Sequence, residues 1–347
     1  MYGRHGRRGT RWRAGMAAAG AAALLLTACS SDGDGGNGKS GGETSGGSGG
    51  IGQRPADVSS FWVNPDSTAA RQLADYGDGE KENAELIRKI AEQPAAEWIR
   101  PEDPEEQARG YTEAAGEAER DAVLVLYNIP HRDCGLHSAG GAADGDEYRA
   151  FVDGVAKGIG DRPATVVLEP DAVLHMVDRC TDQKYHEERY ALLGEAVDKL
   201  GALKNTKVYL DAGNAGWGDT EQIFEPLKRA GVERADGFSV NVSNFYTTEE
   251  SIRYGKELSA KVGNKPFVID TSRNGNGPYD GGDPAQKWCN PPGRALGETP
   301  TTDTGDEQVD AFLWIKRPGE SDGECRGGPP AGQWWPDYAL KLAKAAA

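Results

Sequence analysis

The chain has 347 residues, and its 55 acidic and 39 basic side chains give a formal net charge of −16. Such an acidic chain argues against binding to nucleic acid, anionic lipid or polyanionic substrates. A neutral substrate is the simpler expectation.

The first 28 residues are typical of an export signal. Five arginines precede the apolar run Ala17–Leu26, which is too short to cross a bilayer as a stable helix and suits a secretory signal. The run leads through Leu-Thr-Ala to Cys29, which resembles the site where bacterial lipoproteins are cleaved and lipidated; the alternative is an ordinary signal peptide ending near a cysteine. We predict a lipoprotein-type signal peptide over residues 1–28 and lipidation at Cys29, and loss of the leader would change the charge to −21.

Residues 29–58 are rich in Gly and Ser and nearly lack apolar side chains. Such a segment cannot bury enough surface to fold, so we predict a flexible tether that holds a domain ~30 Å from a surface. Residues 59–347 fit one large domain of the α/β barrel kind. We expect an exported monomer, either on the extracellular face of the membrane, attached only through its lipid, or secreted.

Short apolar runs alternate with helical patterns in residues 59–347, which predicts repeated βα units and a mostly parallel sheet. One helix is marked by a capping box from Thr247 to Glu250. An eight-stranded barrel would have to be incomplete or distorted, because only seven strands are predicted. The predicted strands are Ser60–Val63, Val123–Tyr127, Thr165–Leu168, Lys207–Leu210, Gly237–Val242, Pro266–Ile269 and Ala311–Ile315; the helices are Tyr148–Ile159, Tyr185–Leu203, Thr220–Ala230 and Glu249–Val262.

The stretch Thr165–Asp171 shows how a strand could deliver an acid to a cleft. Its Val-Val-Leu run has the composition of a strand covered on both faces, and Pro170 cannot donate a ladder hydrogen bond, so the strand should end at Glu169. Asp171 would then lie at the mouth of the sheet. The alternative is that Asp171 caps a helix over Ala172–Val177.

The same pattern recurs, because acids or amides follow most of the predicted strands. The carboxyl ends of parallel strands lie on one rim, where ligands bind, so these side chains are expected to converge. Taken singly, each could be a helix cap or a solvated loop charge. The set comprises Asp133, Glu169, Asp171, Asp211, Asn241, Asp270, Glu320 and Asp322, with Lys316 among them.

The chemistry that these residues favour is proton transfer. The five histidines lack metal-ligand spacing, and neither a phosphate-binding loop nor a nucleophilic serine motif occurs, so we expect no metal and no cofactor. Paired carboxylates with exposed aromatic side chains indicate glycoside hydrolysis, since like charges held close together raise the pKa of one acid. Trp217 and Trp288 would stack on sugar rings or else pack within loops, whereas Trp62 and Trp314 fall within predicted strands and are expected in the core.

Apart from Cys29, four cysteines remain: Cys134, Cys180, Cys289 and Cys325. An even number in an exported chain, without a Cys-x-x-Cys pair, predicts two disulfides. Three pairings are possible, and each closed loop would contribute ~3–4 kcal/mol on the chain-entropy model.

Six motifs occur in chain order: FWVNP at 61–65, YNIPHRDC at 127–134, VLEPD at 167–171, LDAG at 210–213, WCNPPGRALG at 288–297 and WIKRPGESDG at 314–323. Together they resemble glycoside hydrolase family 6, the inverting cellulases. The resemblance implies a distorted (β/α) barrel of about seven parallel strands, with an open active-site cleft at the C-terminal strand ends. It also implies the disulfides Cys134–Cys180 and Cys289–Cys325, and cleavage of β-1,4-glucan with inversion.

By this resemblance Asp171 is the general acid, Asp133 raises its pKa and helps steer water, and Asp322 is the candidate base. Asp211 is implied to bind sugar at the cleavage point, while Tyr127 presses on the distorted ring. The other implied binding residues are Lys316 and Glu320 for sugar hydroxyls, Trp217 and Trp288 as stacking platforms, and Ser138 for water; Asn241, at a strand end, is added as a substrate ligand.

His131 and Arg317 depart from the family motifs, and Arg317 looks like an extra residue between Lys316 and Pro318. These departures bear on substrate preference. Only about nineteen residues separate Ala295 from Trp314, so we predict an open cleft and cleavage at internal bonds. The alternatives are a chain-end-acting cellobiohydrolase of the same family and a non-catalytic, cell-surface glycan-binding lipoprotein.

Overall fold

A computed structural model of the chain describes residues 60–283 and 286–346. The predicted signal peptide over residues 1–28, the lipidation site Cys29 and the tether over residues 29–58 lie outside the described residues. So does residue 59, where the predicted catalytic domain begins. In the described part, no helix combines the length and the apolar character needed to cross a membrane.

Seven parallel strands form one sheet, in which every strand pairs with its neighbours in sequence. The register sets Leu126 opposite Leu168 and Leu168 opposite Leu210, so the carboxyl ends of the central strands are level. This confirms the predicted seven-stranded α/β barrel, here a curled half-barrel. The strands are β1 Glu97–Ile99, β2 Ala122–Leu126, β3 Ala164–Leu168, β4 Thr206–Asp211, β5 Gly237–Val240, β6 Phe267–Asp270 and β7 Val309–Leu313.

The prediction of a strand at Ser60–Val63 is wrong, although the number of strands is right. Only Phe61 pairs, through an isolated parallel bridge to Asp121, and Pro65 soon ends the extended segment because it has no N–H to donate. The missing member is β1, which has only three residues and therefore leaves almost no periodic signal.

Nine α-helices accompany the sheet in the described residues, and the four helices predicted by periodicity lie within three residues of their observed ends. Val173, not Asp171, occupies the N-cap position of the short helix α5, and no side chain caps it. The capping role considered for Asp171 is therefore wrong. The helices are α1 Thr68–Asp75, α2 Lys81–Ala91, α3 Pro104–Glu117, α4 Gly145–Ile159, α5 Leu174–Val177, α6 His186–Gly201, α7 Thr220–Arg229, α8 Thr248–Lys261 and α9 Pro336–Ala345.

Both faces of the sheet are buried, as the continuous apolar runs predicted. Leu124, Leu168 and Leu210 face the helices and belong to the main core. Val125 and Val167 point into the curled interior, where they pack with Tyr209 and Leu313 among other side chains. With both faces committed to packing, a ligand would reach the sheet at the carboxyl ends of its strands.

The sheet is not closed by strand pairing between β1 and β7 in the residues that the structure covers. Hydrogen bonds that cross this seam include one from Ala96 N–H to Trp314 O at 2.9 Å and one from Trp98 Nε1 to Ile315 O at 2.9 Å. Trp314 is buried, as predicted, whereas Trp62 is only half-buried against Tyr111. The seam is thus held by single contacts rather than by a ladder.

The first and last helices share a separate apolar cluster. Side chains of α1, α2 and α9 pack there together with Leu296 and Trp314. Lys89 also donates to Ala343 O at 3.4 Å, near the end of α9.

Two disulfides are present, Cys134–Cys180 and Cys289–Cys325, with Cα separations of 5.8 and 6.3 Å. This confirms the pairing that the family resemblance implied. Each bond fastens a loop at the carboxyl edge of the sheet.

Candidate active site

Asp171 lies just after β3, in a left-handed backbone conformation with φ 70°. Its N–H donates to Asp211 Oδ2 at 2.9 Å, and its Oδ2 lies 3.5 Å from the hydroxyl of Tyr127. Burial raises the pKa of Asp171 well above its ordinary value, and the charges of Asp211 and Asp133 raise it further. Asp171 is therefore an acid that keeps its proton where ordinary carboxyl groups have lost theirs.

Asp211 ends β4 and is only 1% exposed. Its carboxylate accepts hydrogen bonds from Asp171 N–H, from Gly213 N–H at 3.1 Å and from Ser239 Oγ at 3.1 Å. Burial raises its pKa to about 6, and these hydrogen bonds oppose the rise. Asp211 thus fixes the backbone of Asp171 and places a second acid beside it.

Asp133 lies in the loop after β2, also with a left-handed backbone, φ 55°. Ser138 N–H donates to its Oδ2 at 2.6 Å, and Arg132 Nε donates to Ser138 O at 2.8 Å. Burial raises the pKa of Asp133, while the Ser138 bond and Arg132 lower it. Asp133 and Ser138 are therefore brought together, and Asp133 is close enough to influence Asp171 electrostatically.

Tyr127 contacts both Asp171 and Trp98, an aromatic residue that was not predicted to be near the site. The guanidinium carbon of Arg132 lies 4.7 Å from the centre of the Tyr127 ring, and Trp98 packs edge-on against Tyr127 with ring centres 5.5 Å apart. Trp98 belongs to β1. Because this short strand was not predicted from the sequence, its contact with Tyr127 was not predicted either.

Glu169 does not face the cleft as a second acid. It is 0% exposed, and its carboxylate accepts hydrogen bonds from Asn128 N–H and Ile129 N–H, each at 3.0 Å. Burial raises its pKa to about 7, against the effect of these two bonds. Glu169 therefore anchors the loop after β2.

Arg189, on α6, donates hydrogen bonds to both the loop after β2 and the loop after β3. Its guanidinium donates to Pro130 O at 2.7 Å, to His131 O at 3.0 Å and to Ala172 O at 3.1 Å. The first two carbonyl groups precede Asp133, and the third follows Asp171. The relative position of the two acids is thus set partly by a buried cation.

Asp322, in the loop after β7, has the opposite electrostatic environment. Arg273 Nη1 lies 2.9 Å from its Oδ2, Lys316 Nζ lies 3.6 Å from its Oδ1, and Asn290 N–H donates to Oδ2 at 2.9 Å. Burial alone would raise the pKa of Asp322, but the two cations and the hydrogen bonds hold it below the ordinary value. At a pH between the pKa values of these two groups, Asp322 is therefore ionised while Asp171 is still protonated.

Arg273 was not singled out from the sequence, although it follows β6 by three residues on the same rim. It is 0% exposed, donates to Ser243 O at 2.6 Å and lies 4.4 Å from the centre of the Phe245 ring. An arginine buried without a carboxylate would be costly, so its pairing with Asp322 explains why both are tolerated inside.

Lys316 and Glu320 lie in the loop that carries Asp322, and both are buried. Lys316 Nζ donates to Ser321 O at 3.1 Å in addition to its ion pair. Glu320 Oε1 lies 2.9 Å from Arg317 Nε. Both charged groups therefore have protein partners before any ligand binds.

Asp270 and Asn241 hold strand ends in place. Asp270 accepts hydrogen bonds from the N–H groups of Ser243, Ser272 and Lys316 at 2.9, 3.0 and 2.9 Å. Asn241 Nδ2 donates to Tyr246 O and Asp270 O, and its Oδ1 accepts from Tyr246 N–H. Because these hydrogen bonds occupy both the oxygen and the nitrogen of the Asn241 amide, this side chain is poorly placed to bind a sugar.

The two predicted platforms lie in loops and are half-buried. Trp217 Nε1 donates to Asp178 Oδ2 at 2.9 Å. His137, in the loop after β2, lies 6.0 Å from Trp288 between ring centres. A Cβ added at Gly323 would lie 2.4 Å from His137 Cγ, so the loops after β2 and β7 meet here.

The arrangement joins a protonated carboxyl group, a stable carboxylate and aromatic side chains on one rim, which suits acid–base cleavage of a glycosidic bond. Possible metal ligands in the described residues come together at Cys134, His175 and Cys180. Both sulfur atoms there belong to the disulfide, so that group offers no thiolate to an ion.

A model of the family described as "Glycosyl hydrolases family 6" matches residues 56–346. Endoglucanase A of Cellulomonas fimi is 43% identical over 294 residues, covering 84% of this chain and 62% of that protein. Endoglucanase A of Thermobispora bispora is 40% identical, with 83% and 63% covered. The chain thus spans less than two thirds of the length of these two relatives.

Among solved structures, the endoglucanase Cel6 from Mycobacterium tuberculosis, in complex with a thio-cellobioside, superposes with a TM-score of 0.78. It is 44% identical, and the match covers 83% of this chain and 98% of that one. Sequence, fold and the acids gathered at the carboxyl edge of the sheet agree, and we conclude that this chain belongs to glycosyl hydrolase family 6.

Proposed function

We propose that the protein is an endo-β-1,4-glucanase that hydrolyses internal bonds of cellulose or soluble β-glucan with inversion. The observation that carries this proposal is the pair of opposite environments around two acids, the half-buried Asp171 and the buried Asp322. Asp171 lies among carboxylates and keeps its proton, whereas Asp322 lies among cations and loses it. An inverting glycosidase needs one group of each kind.

In this mechanism the Asp171 carboxyl group gives its proton to the glycosidic oxygen as the bond from that oxygen to the anomeric carbon breaks. Water adds to the anomeric carbon from the opposite face, and its proton leaves through the side of the cleft that carries Asp133, Ser138 and Asp322. Asp322 is the candidate acceptor. Its ion pairs make it a weak base, so Asp133 and Ser138 would relay the proton through water.

Substrate binding would use the remaining rim. Tyr127 and Asp211 flank Asp171 and would contact the sugar at the cleavage point. Lys316 and Glu320 would bind sugar hydroxyls, and their existing ion pairs hold both side chains in place. Trp217 and Trp288 would support neighbouring sugar rings through their half-buried faces.

The relatives support a glucan substrate, since several carry endoglucanase names, including Endoglucanase 1 of Streptomyces halstedii at 43% identity. For the whole protein we propose export, with the lipid at Cys29 and the segment 29–58 holding the enzyme at the cell surface. The Cys29 motif and the composition of that segment support this proposal.

The decisive variant is Asp171→Asn, which keeps the shape of the side chain but cannot release a proton in the same way. We expect activity on carboxymethylcellulose to fall by about 10²–10⁴-fold, the usual contribution of a general acid. Asp182→Asn, an exposed carboxylate, is the matched control and should retain full activity. Activity of Asp171→Asn within a few-fold of wild type would remove Asp171 as the acid.

A second candidate is a chain-end-acting cellobiohydrolase, because the contact of His137 with Gly323 brings loops from two sides of the rim together. Internal cleavage lowers viscosity faster than reducing ends appear, whereas chain-end action does the reverse. Anomeric analysis of cellohexaose products would show inversion in the same experiment. A glycan-binding lipoprotein would bind cellohexaose and release no product.

A further inference from the structure

The open seam of the half-barrel carries a charged cluster next to the proposed site. Arg317 projects from the loop after β7 toward β1, across the gap that strand pairing leaves. Its Nη1 lies 3.3 Å from Glu97 Oε2, and its Nε lies 2.9 Å from Glu320 Oε1. One cation therefore joins carboxylates from the first strand and from the loop of Asp322.

The members of this cluster are shielded to different degrees. The side chains of Arg317, Glu97 and Glu320 are 31%, 22% and 6% exposed. Burial raises the pKa of Glu97, Arg317 lowers it, and Glu320 raises it. The two carboxylates thus repel each other, and Arg317, which contacts both, offsets this repulsion.

We infer that Arg317 is a positioning residue, which holds the Glu320 carboxylate in place as a sugar-hydroxyl ligand and joins it to β1. The inference rests on the proposed function, because it assumes that Glu320 binds glucan. It also gives a physical role to the residue that interrupts the Lys-Pro-Gly motif.

The connection to β1 matters because Glu97 is followed by Trp98, which packs against Tyr127. One sugar bound near Tyr127 and another bound at Glu320 would thus contact parts of the site that Arg317 connects through its ion pairs with Glu97 and Glu320. Without Arg317 the two carboxylates would move apart, because nothing would offset their repulsion. The Glu320 carboxylate would then no longer be held in place for sugar hydroxyls.

The test is steady-state hydrolysis of cellohexaose by wild type, Arg317→Leu, Arg317→Lys and the double variant Arg317→Leu with Glu97→Gln. We expect Arg317→Leu to raise KM by about tenfold, the loss of roughly one charge-assisted contact, with kcat within about twofold. Arg317→Lys should keep most of the affinity. The double variant should recover part of it, because the repulsion is gone. Arg253→Leu, which breaks the exposed ion pair with Glu249, is the control and should match wild type.

The pH dependence of KM separates positioning from simple loss of stability. In Arg317→Leu, KM should fall as the pH falls and Glu97, whose pKa burial and Glu320 raise, takes up a proton, as in the Glu97→Gln double variant, while the KM of Arg317→Lys stays flat. An Arg317→Leu enzyme with wild-type KM across this range, or one whose melting temperature falls with KM unchanged, would overturn the inference. If wild type binds cellohexaose without cleaving it, the proposed function fails, and dissociation constants of the same variants still decide the role of Arg317.

Discussion

At the scale of single residues, charge neighbours rather than burial decide what each acid can do. Asp171 is half-buried and Asp322 is buried, and in both cases the loss of hydration favours the protonated form. Around Asp171 the neighbouring carboxylates add to this effect, whereas around Asp322 the cations Arg273 and Lys316 reverse it. Two aspartates of one rim therefore hold different protonation states at the same pH.

A first prediction concerns Asp133, whose charge helps to keep the proton on Asp171. In Asp133→Asn that charge is absent, so the pKa of Asp171 should fall and its proton should be lost at lower pH. The alkaline limb of kcat/KM is expected to move to lower pH, in addition to any loss of rate. A pH–rate profile on cellohexaose measures this. Asp182→Asn should leave the limb where it is, and an unmoved limb in Asp133→Asn would contradict the proposed coupling.

The sequence indicates which acids reach the rim, because each follows a buried apolar run. It does not indicate their partners. Arg273 and Arg189 pair with groups that are distant in sequence, and no local pattern distinguishes a buried arginine from a solvated one. Glu169 and Asp171 show the same limit, since two acids only two residues apart point to different environments once the backbone turns.

At the scale of elements, the carboxyl ends of β5, β6 and β7 are held by one side chain. Asp270 ends β6, and its carboxylate accepts N–H groups from the loops after all three strands. Those donors have no strand partner, because the ladder stops where the loops begin. Asp270 therefore accepts three hydrogen bonds that take the place of ladder bonds between the strands, next to the candidate site.

The second prediction follows from this bonding. Asp270→Ala should lower the free energy of unfolding by about 3–5 kcal/mol, because it leaves several buried N–H groups without acceptors. Asp270→Asn keeps one acceptor oxygen and should cost less, about 1–2 kcal/mol. Urea unfolding followed by circular dichroism measures both. Equal losses in the two variants would show that charge, not the count of acceptors, is what Asp270 supplies.

Elements with strong periodicity were predictable, and short or polar ones were not. The apolar strand β2, the strand β3 with its single threonine, and the helices α4, α6, α7 and α8 follow from the sequence almost to their ends. The three residues of β1 carry one glutamate and one tryptophan, so they resemble a loop. The extended run at 60–63 resembles a strand but has no room to pair beyond Phe61, because a turn and α1 follow.

At the scale of the whole molecule, more buried acids have a raised pKa than a lowered one. The pKa of Glu169 is raised to about 7 and that of Asp211 to about 6, and those of Asp171 and Asp270 are also raised. Asp322 alone among these rim acids has a lowered pKa. Through these acids the folded chain binds more protons than the unfolded chain in weakly acidic solution, and His175, whose pKa burial lowers to about 4, offsets part of this difference.

The third prediction is that stability falls as the pH rises from about 4.5 to 7, because groups with a raised pKa stabilise the fold only while protonated. Below about pH 4 stability should fall again, since protonation of Asp322 removes its ion pairs. Glu169 alone should account for on the order of 3 kcal/mol of the neutral-side loss. Melting temperatures across pH test this: Glu169→Gln should flatten the curve, and Glu188→Gln, which changes an exposed acid, should not. A wild-type curve that rises toward neutral pH would contradict the prediction.

The strand order, in which each strand pairs with the one before it, has a consequence for biosynthesis. As the chain emerges from its N-terminus, every new βα unit finds its neighbour already made, so the sheet can grow stepwise without waiting for distant segments. The exception is the cluster of α1, α2 and α9. Helices α1 and α2 cannot cover their apolar faces until α9 has been synthesised. This cluster therefore forms only after residues 336–345 have been made.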